Sequence, residues 1–156
     1  MLPLDVVAMP LNAQREAKQI GDFKESISLN EHLRGTKRTL QYRPDGDEFV
    51  CVNGKNRYTR ALYGSHSPFR VETSDRPVFA CYNNGRGGNI SFKVILRDGT
   101  ELALDCTGHC ESRYSAGKRT YYLTDPSWGK GELRISVLAL ADMDGAIWRF
   151  SPSNRS

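Results

Sequence analysis

Arg57, Tyr58, Arg60 and Tyr63 stand together in NRYTRALYG, His66 follows, and Arg70, Glu72 and Asp75 come next in FRVETSD. Arg86 and Asn89 close the stretch in GRGGN. Flat rings cover the apolar face of a polyhydroxylated ligand, and Arg and Asn donate hydrogen bonds to its hydroxyls. The same residue types suit a polar interface with a neighbouring domain. Alternation along RYTRALYG puts Tyr58, Arg60 and Leu62 on one side and Arg57, Thr59, Ala61 and Tyr63 on the other. A half-exposed strand rarely needs Arg and Tyr on both faces. These residues are therefore candidate carbohydrate- or domain-contact positions: Arg and Asn as donors, Tyr as stacking surfaces, and Glu72 or Asp75 orienting an Arg.

Other chemistries find less support. There is no G-x-S-x-G nucleophile motif. GRGGN resembles a phosphate loop, but a strand pattern follows it where a helix N-terminus is needed, so it reads as a glycine-rich inter-strand loop. A glycosidase needs two carboxylates about 5–10 Å apart in one cleft. Glu72 and Asp75 are the pair nearest that requirement, and an ordinary surface ion pair explains them as well. Asp45, Asp98, Asp125, Asp142 and Asp144 fall at turns, where their own backbone bonding accounts for them. No catalytic residue is predicted. CTGHC, with Cys106, His109 and Cys110, resembles half a zinc site, but His32 and His66 stand alone and no second ligand pair exists at ordered spacing. No metal and no cofactor are predicted. A local disulfide or two free thiols fit Cys106 and Cys110, while Cys51 and Cys81 lie in strand-like runs as small core residues.

The elements that hold these residues follow from composition and period. A chain of 156 residues is of ordinary single-domain size. Its 14 Gly and 7 Pro favour strands joined by tight turns over a helical bundle. The net charge of +4 comes from 22 basic and 18 acidic residues that are well mixed. The nearest thing to a basic stripe, Arg34, Lys37 and Arg38, reads as a solvated connector, so no nucleic-acid partner is predicted. No apolar run reaches the ~18 residues of a membrane span, and MLPLDVVAMPL lacks the basic n-region and cleavage site of a signal peptide.

Residues 1–38 read as a polar, partly helical lead-in, with Asn12 as a cap, Gly21 as a stop and Ser28 or Asn30 opening a further turn. From 39 to 151 the period is two. Ile90, Phe92, Val94 and Leu96 alternate with polar neighbours before an Asp98-Gly99 turn, and Leu102 and Leu104 return on the same face. ELRISVLALA places Leu133, Ile135, Val137 and Ala139 inward, and Leu138 and Leu140 suggest that the strand's far end is covered on both sides. LQYR, EFVCV, FRVE, VFACY, TYYLT and AIWRF complete the strands, and Asp45-Gly46, Asn53-Gly54 and Asp144-Gly145 supply further turns. The predicted fold is all-β, an antiparallel sandwich or barrel, with residues 152–156 as the start of a linker or a truncated end.

The run from Arg38 to Phe92 resembles a family of large proteins from gut-type Bacteroidetes. The likeness is carried by YRPDG (Tyr42–Gly46), Asn53-Gly54, NRYTRALYG, FRVE, DRPVF (Asp75–Phe79) and GRGGN, and by ELRISVLALADMDGAIWRF towards the end. That family is similar to six-hairpin glycosidases, in which an N-terminal β-sandwich of the sugar-mutarotase-like supersandwich kind precedes an (α/α)6 toroid. The resemblance implies a carbohydrate-processing protein of the periplasm or cell envelope, with a glycan or a C-terminal helical toroid domain as partner and the catalytic acids outside residues 1–156. It implies an accessory role for this chain. A free-standing carbohydrate-binding module is the alternative.

Overall fold

The chain divides into two units after Leu40. All that follows concerns the second, in which the computed structural model describes residues 41–64 and 67–154. His66, the lead-in and its basic cluster lie outside the described residues.

Twelve strands follow in order: β1 (Arg43–Asp45), β2 (Glu48–Val52), β3 (Arg60–Tyr63), β4 (Arg70–Thr73), β5 (Val78–Asn83), β6 (Arg86–Ser91), β7 (Lys93–Ile95), β8 (Glu101–Ala103), β9 (His109–Ser115), β10 (Lys118–Thr124), β11 (Gly131–Ala139) and β12 (Ala146–Asn154). They build a six-stranded sheet ordered β1-β2-β9-β10-β11-β12, a four-stranded sheet β3-β4-β5-β6 and the small ribbon β7-β8. Every pairing is antiparallel. The fold is the all-β sandwich that the period-two pattern predicts.

The two larger sheets meet through their inward rows. Leu62, Val71 and Phe79 come from the four-stranded sheet, and Cys110, Tyr121, Leu123, Ile135 and Val137 from the six-stranded one. Phe79 is the hub, with its ring 5.8 Å from Tyr121, 5.8 Å from Trp148 and 6.1 Å from Phe92, all in edge-on contacts. Edge-to-face geometry adds to what area burial alone supplies.

Several local expectations are corrected. The strand expected from Ile90 to Leu96 is split at Phe92: residues up to Ser91 pair with β5, and Lys93–Ile95 pair with β8. The chain thus changes sheets without a turn, and the Asp98-Gly99 hairpin closes the ribbon, Val94 lying opposite Leu102. GRGGN is strand as well as loop. Asn84 and Gly85 take left-handed conformations (φ 48° and 77°), and Arg86–Asn89 already pair with β5. Leu138 is 43% exposed beside its cross-strand partner Ile147, so β11 is uncovered on that side. β12 continues through Ser151–Asn154 in register with β11, so the linker expected from 152 falls inside a strand.

Candidate functional site

On the outer face of the four-stranded sheet, register aligns Tyr63, Arg70, Tyr82 and Gly87 in one row and Ala61, Glu72, Ala80 and Asn89 in the next. Direct cross-strand neighbours lie about 5 Å apart, close enough for rings and long side chains to touch. Arg70 Nε donates to Glu72 Oε1 at 2.7 Å, and its guanidinium lies 4.8 Å from the Tyr82 ring centroid. The Tyr82 ring rests on the backbone at Gly87, where a Cβ would come within 2.6 Å of it. Only glycine leaves that ring its seat. Tyr63 is 64% exposed, and the Tyr58 phenol donates to Asn89 Oδ1 at 3.2 Å. The structure thus brings Tyr58, Tyr63, Arg70, Glu72 and Asn89 onto one face, joined by Tyr82.

The other predicted positions go elsewhere. Tyr58 has φ 51°, a left-handed conformation that breaks the alternation assumed for RYTRALYG. Tyr58 therefore reaches Asn89 on the outer face while Arg60 turns inward, its guanidinium 5.0 Å from the Tyr42 ring and 5.7 Å from Tyr114. Arg57, in the connection before β3, and Arg86, the first residue of β6, are both exposed.

Asp75 is sealed inside, at 0% exposure. Its carboxylate accepts from the Tyr42 hydroxyl (2.5 Å), Thr59 Oγ1 (3.1 Å) and the Asn56 N–H (2.9 Å). The centre of this cluster is Arg119, also 0% exposed, which the sequence reading missed. Arg119 Nη2 donates to the Tyr42 hydroxyl (2.5 Å), Ser74 O (3.1 Å) and Ser112 Oγ (3.1 Å), with Asp75 Oδ1 at 3.8 Å. Its Nε and Nη1 find no acceptor among the described residues; the Tyr42 and Tyr121 rings lie 5.2 and 5.5 Å from the guanidinium carbon instead. The Tyr121 hydroxyl donates to Ser74 O at 2.8 Å, and burial raises its pKa. This buried knot ties the segment after β4 to the six-stranded sheet. A signal was available: in KRTYYLT, Arg119 is in phase with Tyr121 and Leu123, so it lies on the core face.

Glu72 and Asp75, the carboxylate pair nearest to a glycosidase arrangement, therefore occupy different environments, one on the outer face and one in the core. Glu72 is the sole acid in the strands of the four-stranded sheet, and its ion pair with Arg70 leaves a surface suited to stacking and hydrogen bonding. The cysteines are free thiols. Cys106 is exposed, whereas Cys110 is buried and its thiol is pushed up to about 12 by that burial. Among the described residues no cluster of three His, Cys, Asp or Glu side chains could hold a metal ion, and no helix is long and apolar enough to cross a membrane.

No curated protein and no solved structure matches the chain. Residues 84–153, from the β5–β6 turn nearly to the end of β12, are similar to a family described as a domain of unknown function, DUF4450.

Proposed function

We propose that this chain is the non-catalytic, supersandwich-like N-terminal domain of a glycoside-hydrolase-like protein of the periplasm or cell envelope, and that the outer face of its four-stranded sheet meets the helical toroid domain. The reading rests on the family resemblance of the Arg38–Phe92 motifs. The observation that carries it further is the Tyr63–Arg70–Tyr82 row with Glu72 tied to Arg70. Such a face can stack and donate, but it lacks the second carboxylate that glycoside hydrolysis needs. Polar, ring-rich surfaces with an Arg at their centre are typical anchors of domain interfaces.

The test is titration calorimetry of the chain with a separately produced (α/α)6 domain of such a protein. Association that weakens by about tenfold or more in Tyr63→Ala or Arg70→Ala is the expected result. No association, or association indifferent to both changes, overturns the assignment. The free-standing carbohydrate-binding module is the second reading, favoured by three tyrosine rings on one exposed face. Retention on a polysaccharide gel that is lost in Tyr82→Ala selects it, and glycoside turnover by the chain alone removes both.

A further inference from the structure

β12 forms one rim of the six-stranded sheet. At nine residues it is the longest edge strand among the described residues, the others having three to six. The hairpin before it fixes where its unused backbone groups point. Leu140 N–H donates to Gly145 O at 2.9 Å, and bonded and non-bonded pairs alternate along an antiparallel ladder. Ile147, Arg149 and Ser151 therefore bond to β11, opposite Leu138, Ser136 and Arg134. Ala146, Trp148, Phe150 and Pro152 turn their backbone groups the other way, into the open rim. Pro152 agrees with this parity, because a residue without an N–H fits where no bond to β11 is needed.

Edge strands are commonly blunted by lysines, prolines, bulges or a covering segment. From Ala146 to Ser151, β12 keeps an unbroken register with β11 and has one charge, Arg149. The rim is apolar on both sides. Phe150 is exposed on the inward row beside Trp148, its ring 5.0 Å from Phe92, and Ile147 is exposed on the outer face opposite Leu138. No carboxylate pairs with Arg149 among the described residues. Its neighbours on β11 are Ser136 opposite, with Arg134 and Leu138 on the diagonals.

A row of unpaired N–H and C=O groups selects a strand as its occupant. The side chains select that strand's composition. A residue opposite Arg149 lies on the outer face and meets an uncompensated guanidinium. Residues opposite Trp148 and Phe150 lie on the inward side, against rings. We propose that β12 is a docking edge for an extended segment of a partner protein, with a carboxylate between two apolar residues, which adds a seventh strand to the sheet. A second copy of the chain fits this edge less well. Two-fold pairing centred on Trp148, Arg149 or Phe150 puts the two Arg149 side chains directly opposite or on a diagonal about 7–8 Å apart, where like charges repel. The proposal does not depend on the toroid contact, which uses the other sheet.

The test is fluorescence anisotropy of a labelled peptide, Ser-Thr-Val-Glu-Val-Ile-Ser, titrated with the 156-residue chain. Run antiparallel to β12, its Glu faces Arg149 and its two valines face Phe150 and Trp148. Saturable binding with a Kd below about 1 mM is expected. Replacing the peptide's Glu by Lys should weaken binding about three- to tenfold, and Arg149→Glu in the chain should reverse that preference. N-methylating either valine removes a donor aimed at the rim and should abolish binding. N-methylating the Glu, whose N–H points away from β12, should leave the Kd within about twofold. Circular dichroism checks the fold of the Arg149 variant; if it is disturbed, the peptide series on the unaltered chain decides. No binding, or binding indifferent to the peptide's charge and methyl positions, overturns the proposal. So does a chain that sediments as a dimer and becomes monomeric in Phe150→Pro, which removes a rim donor and no bond to β11: the edge then belongs to a second copy.

Discussion

The Arg119 guanidinium holds a full charge at 0% exposure, with the Tyr42 hydroxyl bridging it to an equally buried Asp75. A buried ion pair gains little net stability, but removing one partner leaves the other charge stranded at a cost of about 3–5 kcal/mol. Asp75→Ala should lower unfolding free energy by that amount in urea titration. The double variant Arg119→Met/Asp75→Asn should lose less than the sum of the single changes, because neither charge is left alone. Additive losses would show that the two side chains act independently. At this scale the sequence was only partly readable. The in-phase position of Arg119 within KRTYYLT marks it as inward-facing, but its partners Tyr42 and Asp75 are 77 and 44 positions away, and no local pattern pairs them. In the sequence Asp75 reads as an acid beside Glu72 because the two are three residues apart; the chain leaves β4 at Thr73, and Asp75 dives into the core.

Strands were legible wherever one face is apolar and its alternation unbroken. EFVCV is β2 to the residue, and β5, β10 and β11 follow from the same pattern. β9 escaped notice because HCESRYS packs Cys110 and Ser112 inward, too polar for a period-two signal. The outer face of the four-stranded sheet was half legible. The ring and guanidinium composition was visible, but the left-handed Tyr58 shifted the parity, and only strand register joins Arg70 to Tyr82. Connections carry their own demands. Gly54, buried between β2 and β3, has the Asp75 carboxylate where a Cβ would lie, 2.5 Å from Oδ2, and Cys51 Sγ at 2.6 Å. Asp75 is pinned by three hydrogen bonds and cannot give way, so Gly54→Ala should cost about 1–3 kcal/mol. An unchanged thermal midpoint in that variant would mean the connection is softer than its packing indicates.

For the molecule as a whole, the interlocking of both sheets makes its stability pH-sensitive on the alkaline side. Burial raises the hydroxyl pKa of Tyr121, and that of Tyr42 in the same direction. A group whose folded pKa lies above its unfolded value contributes fully below the unfolded value, about 10 for tyrosine, and loses that contribution as pH rises through the folded one. The thermal midpoint should therefore fall above about pH 10, and Tyr121→Phe should flatten that limb, read by tyrosinate absorbance alongside near-ultraviolet circular dichroism. Tyrosinate appearing for every phenol in a still-folded chain would refute this. Sheet order has a topological consequence as well. β1 and β12 are opposite rims of one six-stranded sheet, five inter-strand steps apart, which is about 24 Å along the sheet at ~4.8 Å a step. A circular permutant that splices Asn154 back to Arg43 would need a bridge of at least about eight extended residues, at ~3.3 Å each. Anything shorter would peel away one rim.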